Sequence, residues 1–261
     1  MSSDRTAGRI RHILEGDRGW SAYALADLDP GERAHCTWLV GDRSVVLIYR
    51  GLEPAVLFAH GDENECVSLL GTAPAGRYVF TLRPTLRLRL GHRLEVAHEI
   101  DMWRMVLASP AIPANAGEGC IRLGPSDQAA LDALFDAHPD RPDAFHPRQL
   151  ESGVFMAVLE GSRLVAVAGT HIVAPAFRLA AVGNVFTQPA QRGRGLAGRT
   201  TAAVVAALLQ GGMDTIVLNV AQANEPAIRC YHRLGFREHC AYREGVAELR
   251  AVPRAESLGV G

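Results

Sequence analysis

The residues best suited to chemistry sit in the stretch Q-R-G-R-G-L-A-G, 191–198, where Gly193, Gly195 and Gly198 run into an apolar helical segment. Successive glycines let main-chain N–H groups converge, and a helix start adds partial positive charge at the same spot. A pyrophosphate fits such a cradle without any lysine. Leu196 and Ala197 supply first-turn N–H groups, Arg192, Arg194 and Arg199 stand at the rim, and Thr200 offers a hydroxyl from the first turn. The stretch contains G-x-G-x-x-G, but a dinucleotide fold would pass straight from strand to first glycine and end its next strand on an acid. Here six residues separate Thr187 from Arg194, and the next strand ends at Asn219 and Val220. A Walker loop is excluded because the chain has no lysine: all 27 of its Lys+Arg residues are Arg.

Other residues carry weaker signals. His171 lies late in a strand-like run, where an imidazole titrating near neutrality either moves protons or serves structure. Glu151 stands just before another such run. Tyr231 shares i, i+3, i+4 and i+7 spacing with Ala227, Cys230 and Leu234, which on spacing alone reads as an inward core stripe. Asn224, before Glu225 and Pro226, reads as a helix cap or as a ligand amide. His138, Asp140, Asp143 and His146 lie in a proline-broken loop whose spacing matches no compact metal site, so no metal is expected.

The elements that must position these residues form two blocks. The stretch S-P-A-I-P-A-N-A-G-E-G, 109–119, has the composition of a linker, which predicts one domain over 1–115 and a second over 116–261. The first block reads as a helix at 7–14 and then short strands C-T-W-L-V, S-V-V-L-I-Y, A-V-L-F-A-H, Y-V-F-T-L and L-E-V-A-H-E-I-D-M-W. In L-R-P-T-L-R-L-R-L-G-H-R, alternation predicts a strand with Arg87 and Arg89 on its solvated face. The second block predicts β-α-β-β-β-α-β-α-β-β, with a helix capped by Ser126, a three-stranded meander, and one parallel crossover through the glycine turn. The fold class is therefore α/β with a mixed sheet.

At 261 residues with 48% hydrophobic and 21% charged residues, the chain is ordinary for a globular protein. A formal net charge of −1 argues against bulk attraction to nucleic acid or an anionic membrane. No apolar run approaches the roughly 20 residues of a spanning helix, and the polar N-terminus does not read as a secretory leader, so a cytoplasmic protein is expected. Five scattered cysteines fit reduced thiols.

Two motifs then carry a family resemblance. N-V-F-T-Q-P-A-Q-R-G-R-G-L-A-G resembles motif A of the GNAT acetyltransferase superfamily through Arg192, Gly195 and Ala197. N-E-P-A-I-R-C-Y-H-R-L-G-F resembles motif B through Asn224, Ala227, Tyr231, Gly235 and Phe236. A-V-A-G-T-H-I-V followed by A-A-V-G-N-V-F-T-Q-P is similar to the glycine N-acyltransferase-like branch, which is built from two related halves. The resemblance covers about residues 119–250. It implies a C-terminal GNAT fold behind a degenerate, non-catalytic GNAT-like half, with acetyl-CoA as cofactor. It also implies that two parallel strands splay, that Val185 and Thr187 hold the pantetheine arm, that the N–H near Phe186 faces the thioester oxygen, and that 193–198 holds the pyrophosphate. In that setting Tyr231 becomes the general acid, Asn224 a pantetheine contact, His171 or Glu151 the base, and Phe145 part of a substrate loop.

The expected function is transfer of an acetyl or short acyl group from acyl-CoA to a primary amine of a small molecule, amino acid or peptide. The alternative is a catalytically weak acyl-CoA-binding regulatory module.

Overall fold

The computed structural model describes residues 2–142 and 144–251; Asp143 lies outside them. In chain order the elements are α1 (Ser2–Glu15), α2 (Arg18–Ala26), β1 (Cys36–Val40), β2 (Val45–Tyr49), β3 (Ala55–His60), α3 (Glu63–Thr72), β4 (Gly76–Leu82), α4 (Pro84–Leu90) and β5 (Leu94–Leu107). There follow β6 (Ile121–Leu123), α5 (Gln128–Asp136), α6 (Arg148–Ser152), β7 (Phe155–Glu160), β8 (Arg163–Ala174), β9 (Leu179–Thr187), α7 (Leu196–Gln210), β10 (Thr215–Ala221), α8 (Glu225–Arg233) and β11 (Phe236–Leu249). Among the described residues no helix is long and apolar enough to cross a membrane.

The chain forms two compact units. Among the described residues the first comprises 2–17, Pro30–Met102 and 241–251, the second Arg18–Asp29, 103–142 and 144–240. The linker-like 109–119 stretch lies in the connector after β5, while the units change over at 17/18, 29/30, 102/103 and 240/241. The reason lies in two long strands: β5 and β11 each carry the chain from one unit into the other.

In the first unit the strand order is β1-β2-β3-β4-β11-β5. β3 and β4 are parallel and joined by α3, whereas β1/β2, β2/β3 and β4/β11 are antiparallel. Val46, Ile48, Leu57, Phe80, Leu70 and Leu86 meet in its core. The segment around Arg87 and Arg89 is a helix, not the expected strand. Pro84 sits in its first turn, and a helical turn puts Leu86 and Leu90 on one buried face while Leu88 is 72% exposed. Arg87 pairs with Glu99 at 2.9 Å.

In the second unit the order is β11-β5-β10-β9-β8-β7-β6. The meander is antiparallel, and β9 and β10 are parallel across the α7 crossover. One sheet face carries α7 and α8 over Val182, Leu218, Val220 and Phe236. The other carries α5 and α6 over Phe155, Val167 and Phe186. Two details differ from the sequence reading. Ser126 does not cap α5; Asp127 accepts from the Gly124 N–H at 2.9 Å instead. The two expected final strands are one continuous strand, β11.

Candidate functional site

The site is built where β9 and β10 part. Their pairing runs from Leu179↔Thr215 to Val182↔Leu218 and stops. β9 continues to Thr187 and β10 to Ala221, while β9 stays paired to β8 on its other edge through Ala166↔Thr187. The result is an open wedge with unpaired main chain along the facing edges of Gly183–Thr187 and of 219–221. Within it β9 carries a bulge: the β8/β9 register shifts between Gly169↔Gly183 and Val167↔Phe186, and Asn184 sits at φ 51°. Val185, Phe186 and Thr187 all lie on this parted stretch.

Just beyond β9, Gly193 and Gly195 have φ of 79° and 74°, and nothing stands within 4 Å of where a Cβ would be on either. Gly195 is the N-cap of α7 and has no side chain with which to cap it, so among the described residues the N–H groups of Leu196, Ala197 and Gly198 have no side-chain acceptor. Gly198 packs on α8, where a Cβ would stand 3.3 Å from the Cys230 Sγ. Two of the three rim arginines are already engaged. Arg192 donates to the Thr187 carbonyl at 3.1 Å, pairs with Asp140 and lies over the Phe186 ring. Arg194 pairs with Glu160 at 3.1 Å. Arg199 has no ion-pair partner among the described residues and borders an open cavity of about 620 Å³ with Gly198, Asn115, Glu118 and Leu234. Thr200 does not reach the turn: it is fully buried and its hydroxyl donates back to the Leu196 and Ala197 carbonyls.

Tyr231 lies on the α7/α8 face of the wedge, buried with Val182, Val220 and Phe236. Its ring meets Phe236 edge-on at 6.1 Å. Burial pushes its hydroxyl well above the ordinary phenol value, so the group stays protonated. Asn224 caps α8 by accepting from the Ala227 N–H at 3.2 Å, which leaves its Nδ2 for another partner. The cap reading and a ligand contact are thus compatible.

The opposite face of the wedge holds His171 and groups that the sequence did not single out. His171 falls at a second irregularity of the β8/β9 register, and its Nδ1 lies 2.9 Å from the Tyr23 hydroxyl of α2. The buried Arg104 guanidinium sits 4.7 Å from the Tyr23 ring centroid. Arg18 of α2 donates to the Thr215 hydroxyl at 3.2 Å, which fixes that side chain on the α2 face. Strand alternation then puts Asn219 on the same face. Asn184 donates from Nδ2 to Gln149 of α6 at 2.9 Å. Glu151, also on α6, is exposed and has no hydrogen bond or ion pair from its side chain among the described residues. Phe145 is half-buried, and its ring packs on Phe135 and Phe155 at 5.4 and 6.0 Å.

A G-N pair inside a strand pattern is a sequence signal for a bulge and could have drawn notice to Asn184. Nothing local could have found Tyr23, which lies 148 residues from its partner.

A parallel pair splayed at its carboxyl ends, with a glycine turn feeding the crossover helix, is the architecture that the resemblance to GNAT acetyltransferases implies. Residues 126–236 match the model of the acetyltransferase (GNAT) family. A mycothiol acetyltransferase of Tsukamurella paurometabola is 31% identical over 137 residues, covering 44% of this chain and 47% of the relative. The match thus spans about half the length of that curated relative. A protein of Novosphingobium aromaticivorans assigned to the GNAT family superposes over 85% of this chain and 94% of its own, at 26% identity and a TM-score of 0.59. A Drosophila protein shares the fold over 97% of both chains, with a TM-score of 0.70 at 12% identity.

Proposed function

We propose that the protein transfers an acetyl or short acyl group from acyl-CoA to the nitrogen of a primary amine. The observation that carries this reading is the wedge between β9 and β10 with an uncapped, glycine-opened helix start at its mouth. In this reading the N–H groups of 193–198 hold the pyrophosphate, and the open Cβ positions of Gly193 and Gly195 leave room for it. The free edge of Val185–Thr187 pairs with the amides of the pantetheine arm, and the cavity beside Arg199 takes the nucleotide end. Acyl-CoA is a substrate here; it supplies the acyl carbon and departs as the thiol.

The two faces of the wedge divide the proton work. On one, the Tyr231 hydroxyl gives a proton to the sulfur as the carbon–sulfur bond breaks. On the other, His171 takes the proton that the amine nitrogen sheds as it bonds to the carbonyl carbon. The N–H near Phe186 steadies the oxyanion between these events.

The first unit is read as a related, silent half, as in the glycine N-acyltransferase-like branch. Its order β1-β2-β3-α3-β4-α4-β5 repeats β7-β8-β9-α7-β10-α8-β11, with a parallel pair at the same step. Two features support its silence. The β3/β4 pairing reaches Phe58↔Thr81, within two residues of each strand's end, so little wedge remains. Asp62 closes the start of α3 by accepting from the Asn64 and Glu65 N–H groups, which puts a carboxylate where a phosphate would go.

The test is thiol release from acetyl-CoA in the presence of single primary amines and amino acids, with CoA binding followed by calorimetry. Amine-dependent release supports the reading. CoA binding with no such release would leave only the acyl-CoA-binding module.

A further inference from the structure

The wedge face opposite Tyr231 contains two side-chain carbonyl oxygens with no donor among the described residues. Asn184 is 3% exposed, and its Oδ1 has no hydrogen-bond donor among the described residues; the same holds for Oδ1 of Asn219. A buried acceptor left unpaired forfeits its bonds to water. Asn184 adds a second cost, since it holds φ at 51° inside a strand. Two costs at one residue, on the strand segment that has lost its neighbour, mark a position kept for a ligand.

The orientation of the Asn184 amide follows from a chain of bonds that starts at an unambiguous donor. The His146 main-chain N–H donates at 3.1 Å to Gln149, so the Gln149 atom there is Oε1. Gln149 Nε2 then donates to the Ala144 carbonyl at 3.3 Å. Asn184 lies 2.9 Å from the same Oε1, and must present Nδ2 to it. Its free atom is therefore the oxygen, and any ligand that satisfies it has to bring N–H or O–H groups.

We infer that Asn184 and Asn219 form the docking pair for the amine acceptor, each accepting an N–H of its ammonium or amine nitrogen. This rests on the acyltransferase reading above and names the part of the site that recognises the acceptor. In the register, Asn219 follows Leu218 as Gly183 follows Val182, so the two asparagines flank the mouth of the wedge. They share the sheet face of His171, whose ring packs over Gly183, the residue before Asn184. A nitrogen held by both oxygens lies beside the imidazole that takes its proton. The pair selects an amine with at least two N–H groups, hence primary amines over tertiary or quaternary ones.

The experiment follows the side-chain amide NMR signals of Asn184 and Asn219 in the full chain during titration with n-butylammonium chloride, then tetramethylammonium chloride. Shifts with the first and none with the second are expected; equal responses, or none to either, overturn the assignment. Asn184→Gly tolerates the positive φ, and Asn219→Val suits a strand. Each should raise the KM for the amine about ten- to a hundredfold, the loss expected for a hydrogen bond to a charged group, while the KM for acetyl-CoA stays put. A loss that falls instead on acetyl-CoA would reassign the pair to the pantetheine arm and overturn the inference. Selective shifts without turnover would overturn the transferase reading and leave the amine site, whereas turnover with an unchanged amine KM would do the reverse.

Discussion

The His171 imidazole fills the space that a side chain at Gly183 would need: a Cβ on Gly183 would collide with its Nε2, Cδ2 and Cε1 atoms. The glycine is thus the floor on which the imidazole lies, and the Tyr23 hydroxyl at 2.9 Å from Nδ1 fixes its direction. Gly183→Ala should push the ring off this seat. If His171 carries the amine proton, kcat falls by about 10²-fold or more, while CoA affinity measured by calorimetry is retained. A variant with the parent kcat would remove His171 from the proton path.

Tyr231→Phe tests the other face. Losing a hydroxyl acid should slow turnover by about 10²- to 10⁴-fold, and the ring contact with Phe236 remains available to keep the fold. The pH dependence has a definite sign. Burial raises the folded-state value above the ordinary 10.0, so the proton is retained through neutral and mildly alkaline solution. Turnover should therefore show no fall from this group as pH approaches 10. The stability that the buried neutral phenol contributes is present below that ordinary value and is lost as pH rises from it toward the folded-state value. Alkaline unfolding of the parent, compared with Tyr231→Phe, reads this directly.

The glycine turn can be separated from general backbone strain by a matched pair. Gly195 and Gly161 both have positive φ, 74° and 60°, and neither has an atom within 4 Å of its Cβ position. Alanine at either costs about 1–2 kcal/mol of strain. Only Gly195→Ala disturbs the start of α7, so urea midpoints should fall alike while CoA affinity drops for Gly195→Ala alone.

The sequence made the crossover legible because its signals are local. Glycines bracket α7, Pro226 and Gly235 bracket α8, and apolar runs of strand length lie between. It misled where two periods fit one string: L-R-L-R-L alternates like a strand, but Pro84 starts a helix in which Leu86 and Leu90 fall on one face. It was also misleading at Thr200, where a polar group near a phosphate cradle proved to be satisfied internally. The acceptor face was hidden for a different reason. Tyr23, Gln149, Asn184 and Asn219 come from four elements, and only the bulge and the parting of β9 from β10 bring them to one face.

The contrast between the two crossover helices yields the last prediction. α3 and α7 occupy the same step of the repeated element order, but Asp62 accepts from Asn64 and Glu65 at 3.0 and 3.1 Å, whereas Gly195 offers no side chain. A helix start that already holds a carboxylate repels a second anion, so calorimetry should give one CoA per chain. Asp62→Ala should cost about 0.5–2 kcal/mol of stability, as loss of an N-cap does, and should still leave one CoA per chain, because the β3/β4 pairing leaves too little wedge for the pantetheine arm. A second CoA bound in this variant would mean that the cap alone silences the first unit. A second CoA in the parent would mean that this half is not silent, and that a capped helix with closed strands suffices to hold the cofactor.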